Sequence, residues 1–157
     1  MFRKSYEDGS EMVSENTRTI TRNWILANIP KGSRILAEIY TVTRMPKEMY
    51  SYYTVNTNGD LEQYVPETSY KPYYSPGGKI GTITDVSQVF RENIQFMLVG
   101  NMYPRYLEDG NFSNIVNNYE NLIANGDILF EIHPVPGDNR GPVIQIFQFL
   151  EVSNRDG

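Results

Sequence analysis

The sequence predicts a single α/β domain: a mixed, mostly parallel central sheet, two main packed helices, a β-rich tyrosine-containing insertion and a C-terminal antiparallel hairpin. Three observations predict it. Short apolar runs of strand length, at 35–40, 94–99 and 128–132, stand apart from segments whose apolar residues recur every three or four positions. The order is helix, strand, insertion, strand, helix, strand, strand, and such alternation favours helices layered on a sheet. The chain has 157 residues, 39% of them hydrophobic and 21% charged, enough for one real core and unlike a disordered profile.

Taken in order, residues 1–13 are polar and aperiodic and read as a flexible lead-in or tether, with the domain proper over 14–157. A helix is expected over Thr17–Asn28, because Ser14 or Asn16 can accept from its first-turn N–H groups. Ile20, Trp24 and Ala27 form its expected buried stripe, with Ile25 beside it. Pro30 and Gly32 stop it. Arg34 to Val42 then reads as a strand buried on both faces, since Ile35, Leu36, Ala37, Ile39 and Tyr40 are nearly continuous. An insertion occupies about 43–85. Met49–Val55 is β-prone, Asn56-Thr57-Asn58-Gly59-Asp60 is a strong turn signal, and Leu61–Val65 returns as a hairpin partner. Pro66 to Gly81 is rich in Pro, Gly, Ser and Tyr and reads as an irregular loop.

Asp85–Arg91 predicts a short helix and Ile94–Val99 a second buried strand. Asn111-Phe112-Ser113-Asn114 predicts the cap of a second helix running to about Ala124, with Ile115, Tyr119, Leu122 and Ile123 on one face. Asn125-Gly126 predicts a left-handed terminator. Ile128–Ile132 is a third strand, Val135–Pro142 a loop and Val143–Val152 the last strand. The strand of 94–100, the second helix and the third strand predict a right-handed βαβ unit with parallel strands, and the closing pair an antiparallel edge hairpin.

Composition excludes several classes of function. Acidic residues outnumber basic ones, 19 to 14, for a net charge of −5. A nucleic-acid partner calls for the opposite sign, so none is expected. The chain has no cysteine, which removes disulfides, thiolate metal sites and a thiol nucleophile. A single histidine, His133, leaves no usual zinc set. No metal and no cofactor are expected. Mean hydropathy is −0.47, and no apolar run approaches the roughly 20 residues of a spanning helix, so the chain as given reads as soluble. The first residues lack a signal-peptide core. The expectation is either a cytoplasmic protein or a domain of a larger exported or membrane protein.

Sites of chemistry are sparse. Pro76-Gly77-Gly78-Lys79-Ile80-Gly81-Thr82 lacks the spacing and context of a phosphate loop and reads as a turn. There is no G-x-G-x-x-G after the first strand and no G-x-S-x-G elbow to serve His133. Glu38 and Glu131 sit in buried-looking strands. They could do acid–base work if they met in a cleft, but the simpler expectation is that they point outward or pair with Arg34 or Arg44. Asn111-Phe112-Ser113 is a glycosylation sequon as well as a cap. The tyrosine-rich insertion is the most suggestive feature. Tyr52, Tyr53, Tyr70, Tyr73 and Tyr74 are candidate contacts to a carbohydrate or acceptor, because aromatic faces stack on sugar rings and phenols hydrogen-bond at their edges. Against this, tyrosine is a favoured strand residue that packs for structural reasons.

Two segments carry a family resemblance. Asn16-Thr17-Arg18, Trp24-Ile25, Asn28-Ile29-Pro30-Lys31-Gly32-Ser33, Ile35 and Glu38-Ile39-Tyr40 form the first. Met102-Tyr103-Pro104-Arg105-Tyr106, Tyr119-Glu120-Asn121-Leu122, the run Gly126 to Pro134 and the run Gly141 to Phe147 form the second. Together they resemble the C-terminal extracytoplasmic domain of GT-C membrane glycosyltransferases, the protein O-mannosyltransferase-like and aminoarabinose-transferase-like group. Residues 43–85 match no part of that pattern, and the membrane body that carries the group's catalytic acids has no counterpart here. The resemblance therefore implies no catalytic residue. It implies a non-catalytic accessory domain of an enzyme using a polyprenyl-phosphate-linked sugar. Such a domain would partner the enzyme's transmembrane portion, with a glycan or acceptor as a further candidate partner, on the extracytoplasmic face of the cell membrane. The alternative is a free-standing α/β binder of a small ligand or carbohydrate, or, less readily, a small hydrolase.

Overall fold

A computed structural model describes residues 15–38, 41–42, 45–46, 48–64, 79–136 and 139–150. The lead-in, most of the loop after the hairpin, and Ser14, Ile39, Tyr40 and Arg44 lie outside the described residues. Along the chain come β1 (Glu15–Asn16), α1 (Thr17–Asn28), β2 (Arg34–Ala37), β3 (Ser51–Val55), β4 (Leu61–Tyr64) and a 3-10 turn (Ile80–Thr82). There follow α2 (Ser87–Arg91), β5 (Phe96–Val99), α3 (Met102–Asp109), α4 (Ser113–Ala124), β6 (Gly126–Ile132), β7 (Asn139–Arg140) and β8 (Ile144–Phe149).

Six strands form one mixed sheet in the order β4-β3-β2-β5-β8-β6. Its centre is parallel: β2 pairs with β3 on one side and β5 on the other. β4 is antiparallel to β3, and β8 is antiparallel to both β5 and β6. A small parallel pair, β1–β7, lies apart from the sheet. The alternation of strand side chains divides the core in two. Ile35, Ala37, Tyr52, Phe96, Leu98 and Ile146 pack with Ile25 of α1 on one face. Leu36, Tyr53, Val55, Met97, Val99 and Phe147 pack with Val89, Tyr119 and Leu122 on the other. Helices thus cover both faces, which is why β2 and β5 read as continuous apolar runs.

Several local expectations hold for the predicted physical reasons. Asn16 caps α1, its Oδ1 accepting from Arg18 N at 2.9 Å. The hairpin turn is held by Asn56 Oδ1, which accepts from Asn58 N and Asp60 N, and Gly59 supplies the required positive φ of 85°. No helix among the described residues is long and apolar enough to cross a membrane.

Others are corrected. The buried stripe of α1 is Thr17, Thr21 and Ile25, rotated from the expected one; Ala27 is exposed, and Ile20 and Trp24 are half-buried. The cause is docking at both ends. Thr17 Oγ1 donates to Pro142 O at 2.6 Å, and the Trp24 ring lies on Phe130 with centroids 4.9 Å apart. α3 is an additional helix that Pro104 obscures. The proline falls in its first turn, where its missing N–H has no intrahelical partner to lose. No side chain caps α4; Phe112 occupies its cap position. Asn125 ends α4 with φ −98° rather than left-handed, and Gly126 opens β6 because an added Cβ there would sit 3.0 Å from Gln148 O. The expected βαβ unit is split: β5 and β6 run in the same direction, but β8 inserts between them. β8 is therefore interior, and β6 alone forms that edge.

Candidate functional site

In open α/β sheets, ligands favour the crevice beyond the carboxyl ends of the strands, where neighbouring connections diverge. Here that place is the carboxyl end of β2 and β5, since β2 has β3 on one side and β5 on the other. Glu38 follows β2 directly and is 2% exposed. Its Oε1 accepts from Gly100 N, just past β5, at 2.9 Å. Its Oε2 accepts from the hydroxyl of Tyr119, in the middle of α4. Ile80 N adds a backbone hydrogen bond to the carboxyl. The Glu38 carbonyl accepts from Thr41 N and, at 2.6 Å, from Thr41 Oγ1. One carboxyl therefore ties together the ends of two central strands, the 3-10 turn and α4.

The electrostatics follow from burial. Desolvation raises the Glu38 carboxyl above its ordinary value, against the lowering pull of Tyr119, Gly100, Ile80 and the charge of Lys79. The Tyr119 phenol is pushed up by its own burial first and by Glu38 second. The Tyr103 and Tyr106 rings lie 5.0 and 6.3 Å from that of Tyr119, and burial raises both phenols.

Protein fills this crevice. Tyr119 is wholly buried, and Gly81 lies so close to its ring that an added Cβ would collide with it and sit 2.5 Å from Ile115 Cγ2. Asn118 Nδ2 donates to Gly81 O and Ile83 O, both at 2.9 Å, pinning the turn onto α4. A carboxyl with three donors and 2% exposure is suited to holding segments together. Proton exchange with a substrate needs reach to that substrate, which this packing withholds.

The sequence-predicted residues are dispersed. Tyr52 is buried on the α1 face, its hydroxyl donating to Pro46 O at 2.7 Å. Tyr50 and Tyr64 lie beside it, with ring centroids 6.1 and 6.2 Å away, and burial pushes the Tyr64 phenol up to about 12. Tyr53 is buried on the opposite face. Both rings belong to the two cores, and Tyr53 also lines a groove with Leu61, Gln63, Gln88, Arg91 and Glu92. Tyr70, Tyr73 and Tyr74 lie outside the described residues. Glu38 and Glu131 do not meet: Glu131 is exposed on the edge strand, three strands from β2. Its Oε2 is 2.5 Å from His133 Nε2, and that contact holds its carboxyl below the usual range. Arg34 pairs instead with Glu92, at 3.8 Å. Among the described residues no cluster of three His, Asp or Glu is placed to hold a metal.

Sequence reasoning missed the Glu38–Tyr119 pair. Its signal was present: a carboxylate directly after the apolar run Ile35-Leu36-Ala37, and a tyrosine at the centre of the buried helical face. No family model, curated protein or solved structure matches the chain.

Proposed function

We propose that this chain is a non-catalytic accessory domain of a membrane-bound glycosyltransferase. The enzyme uses a polyprenyl-phosphate-linked sugar donor, and the domain stands on the extracytoplasmic face, capping the catalytic chamber of the transmembrane portion. The observation that carries this reading is the mutual packing of the two segments that resemble such enzymes. Thr17 of the first bonds to Pro142 of the second, Trp24 stacks on Phe130, and Glu38 bonds to Tyr119. Segments far apart in sequence thus form one structural unit, as a family pattern for a folded domain requires. The sealed Glu38 carboxyl supports a structural rather than a chemical role for its most distinctive buried polar group. Contact with a glycan or acceptor falls to the insertion bearing Tyr70, Tyr73 and Tyr74.

The test uses an antibody raised against this chain on fractionated native cells. The reading expects a polypeptide several times larger than 18.1 kDa in the carbonate-washed membrane fraction, cleaved by protease added to intact spheroplasts. A polypeptide of the chain's own size in the soluble fraction would overturn it. For the insertion, Tyr73→Ala with Tyr74→Ala should abolish carbohydrate-induced NMR shifts in that segment while the fold persists; absence of such shifts in the unaltered protein removes that part.

A further inference from the structure

A groove of about 450 Å³ opens at the amino ends of β2 and β5, at the opposite end of the sheet from Glu38. Its lining includes Phe96 of β5 and its register partner Gln148 of β8, with Leu129 of β6 nearby; Asp127, opposite Gln148 on β6, lies outside the lining. Asn28 and Lys31, at the end of α1 and in the loop after it, form one wall, and Gln95 closes it. The size falls in the range of small-molecule sites.

Its chemistry selects by elimination. An anion would meet a single lysine, and the helix terminus at the groove is the carboxyl end of α1, the negative pole of the helix dipole. A cation would find no carboxylate in the lining. What the lining offers is three primary amides, each able to donate and accept. Two are held in place. Gln95 Oε1 accepts from Arg34 N at 2.9 Å, which leaves its NH₂ to donate. Asn28 Nδ2 donates to Trp24 O at 2.9 Å, which leaves its Oδ1 to accept. The β6–β8 register slips between Ile128 and Phe130, so Leu129 is the extra residue of a bulge, 41% exposed. Bulges re-aim side chains, and this one adds apolar surface beside Phe96.

We propose that this groove binds a neutral, hydroxyl-rich ligand of the carbohydrate class, with the amides of Gln95, Asn28 and Gln148 on its hydroxyls and Leu129 and Phe96 against its C–H face. The site is distinct from the tyrosine-rich insertion and does not depend on the accessory-domain reading.

The experiment titrates the full chain, ¹⁵N-labelled and with labelled Leu methyls, with maltose, cellobiose and lactose, and in parallel with inorganic phosphate and spermidine. At least one disaccharide should shift the side-chain amides of Gln95, Asn28 and Gln148 and the methyls of Leu129, with a Kd in the millimolar range. Phosphate and spermidine should leave them in place. Gln148→Leu keeps the side chain's bulk at an exposed position and should weaken binding about tenfold. Leu129→Ser serves as a second variant, and the backbone spectrum checks the fold of each. Three results would overturn the proposal: no shift with any disaccharide, shifts driven by phosphate or spermidine, or sugar affinity unchanged in both folded variants.

Discussion

Replacing Glu38 by Leu tests the buried carboxyl most severely. The leucine fills similar space and accepts no hydrogen bond. It strands Gly100 N, Ile80 N and the Tyr119 hydroxyl, all donors to the carboxyl in a site only 2% exposed. Each stranded buried donor costs about 1–3 kcal/mol. The apolar burial gained by leucine returns part of this, so the expected loss is about 3 kcal/mol. For a chain of this size that lowers Tm by roughly 6–12 °C. Adding Tyr119→Phe removes one stranded donor. The double variant should therefore be less destabilised than the sum of the two singles, with a coupling of about 1–2 kcal/mol. Urea unfolding followed by circular dichroism, with all four proteins at one pH, measures both quantities. A Glu38→Leu loss below about 1 kcal/mol, or strict additivity with Tyr119→Phe, would refute the tie between β2, β5 and α4.

The same carboxyl sets a pH dependence. Burial raises its folded value above the ordinary 4.5, so its contribution to stability is full below the unfolded value and is lost as pH rises through the folded one. Wild type should lose urea stability relative to Glu38→Gln as pH rises from about 4 to about 8, and a difference that is flat or of opposite slope contradicts the assignment. Gly81→Ala drives a methyl into the Tyr119 ring and Ile115 and should cost about 1–3 kcal/mol or more in urea unfolding. On α1, Ile25→Ala should cost about 2–5 kcal/mol while Leu26→Ala, 37% exposed, stays within about 0.5 kcal/mol. The reverse order in thermal melts would mean that the helix docks by another face.

What the sequence made legible is what local physics determines. The cap at Asn16, the stop at Pro30–Gly32, the Asn56–Gly59 turn and the buried runs of β2 and β5 all follow from neighbouring residues. What escaped it depends on distant chain. The rotation of α1 is set by Pro142 and Phe130, more than 100 residues away. The insertion of β8 between β5 and β6 depends on pairing that no local pattern encodes, since either neighbour alone satisfies one edge. α3 was hidden by Pro104, which local rules treat as a breaker and the first turn tolerates. The sequence leaves the tyrosines open between ligand contact and packing, because aromatic strand residues look alike whether they face solvent or core. Tyr52 and Tyr53 join opposite core clusters, a placement set by residues distant in the chain. Glu38 was legible as a residue but not as a site, because its partner Tyr119 lies 81 positions away.

On the proposed function, this domain belongs to a sugar-transferring membrane enzyme and performs none of its chemistry alone. The most direct test captures the native polypeptide from detergent-solubilised membranes with an antibody to this chain and assays transfer from radiolabelled polyprenyl-phosphate mannose and polyprenyl-phosphate aminoarabinose. Transfer by the captured polypeptide with at least one donor is expected, and none by the isolated 157-residue chain at equal concentration. Captured material no larger than the chain itself and inactive with both donors, or transfer by the isolated chain, would contradict it.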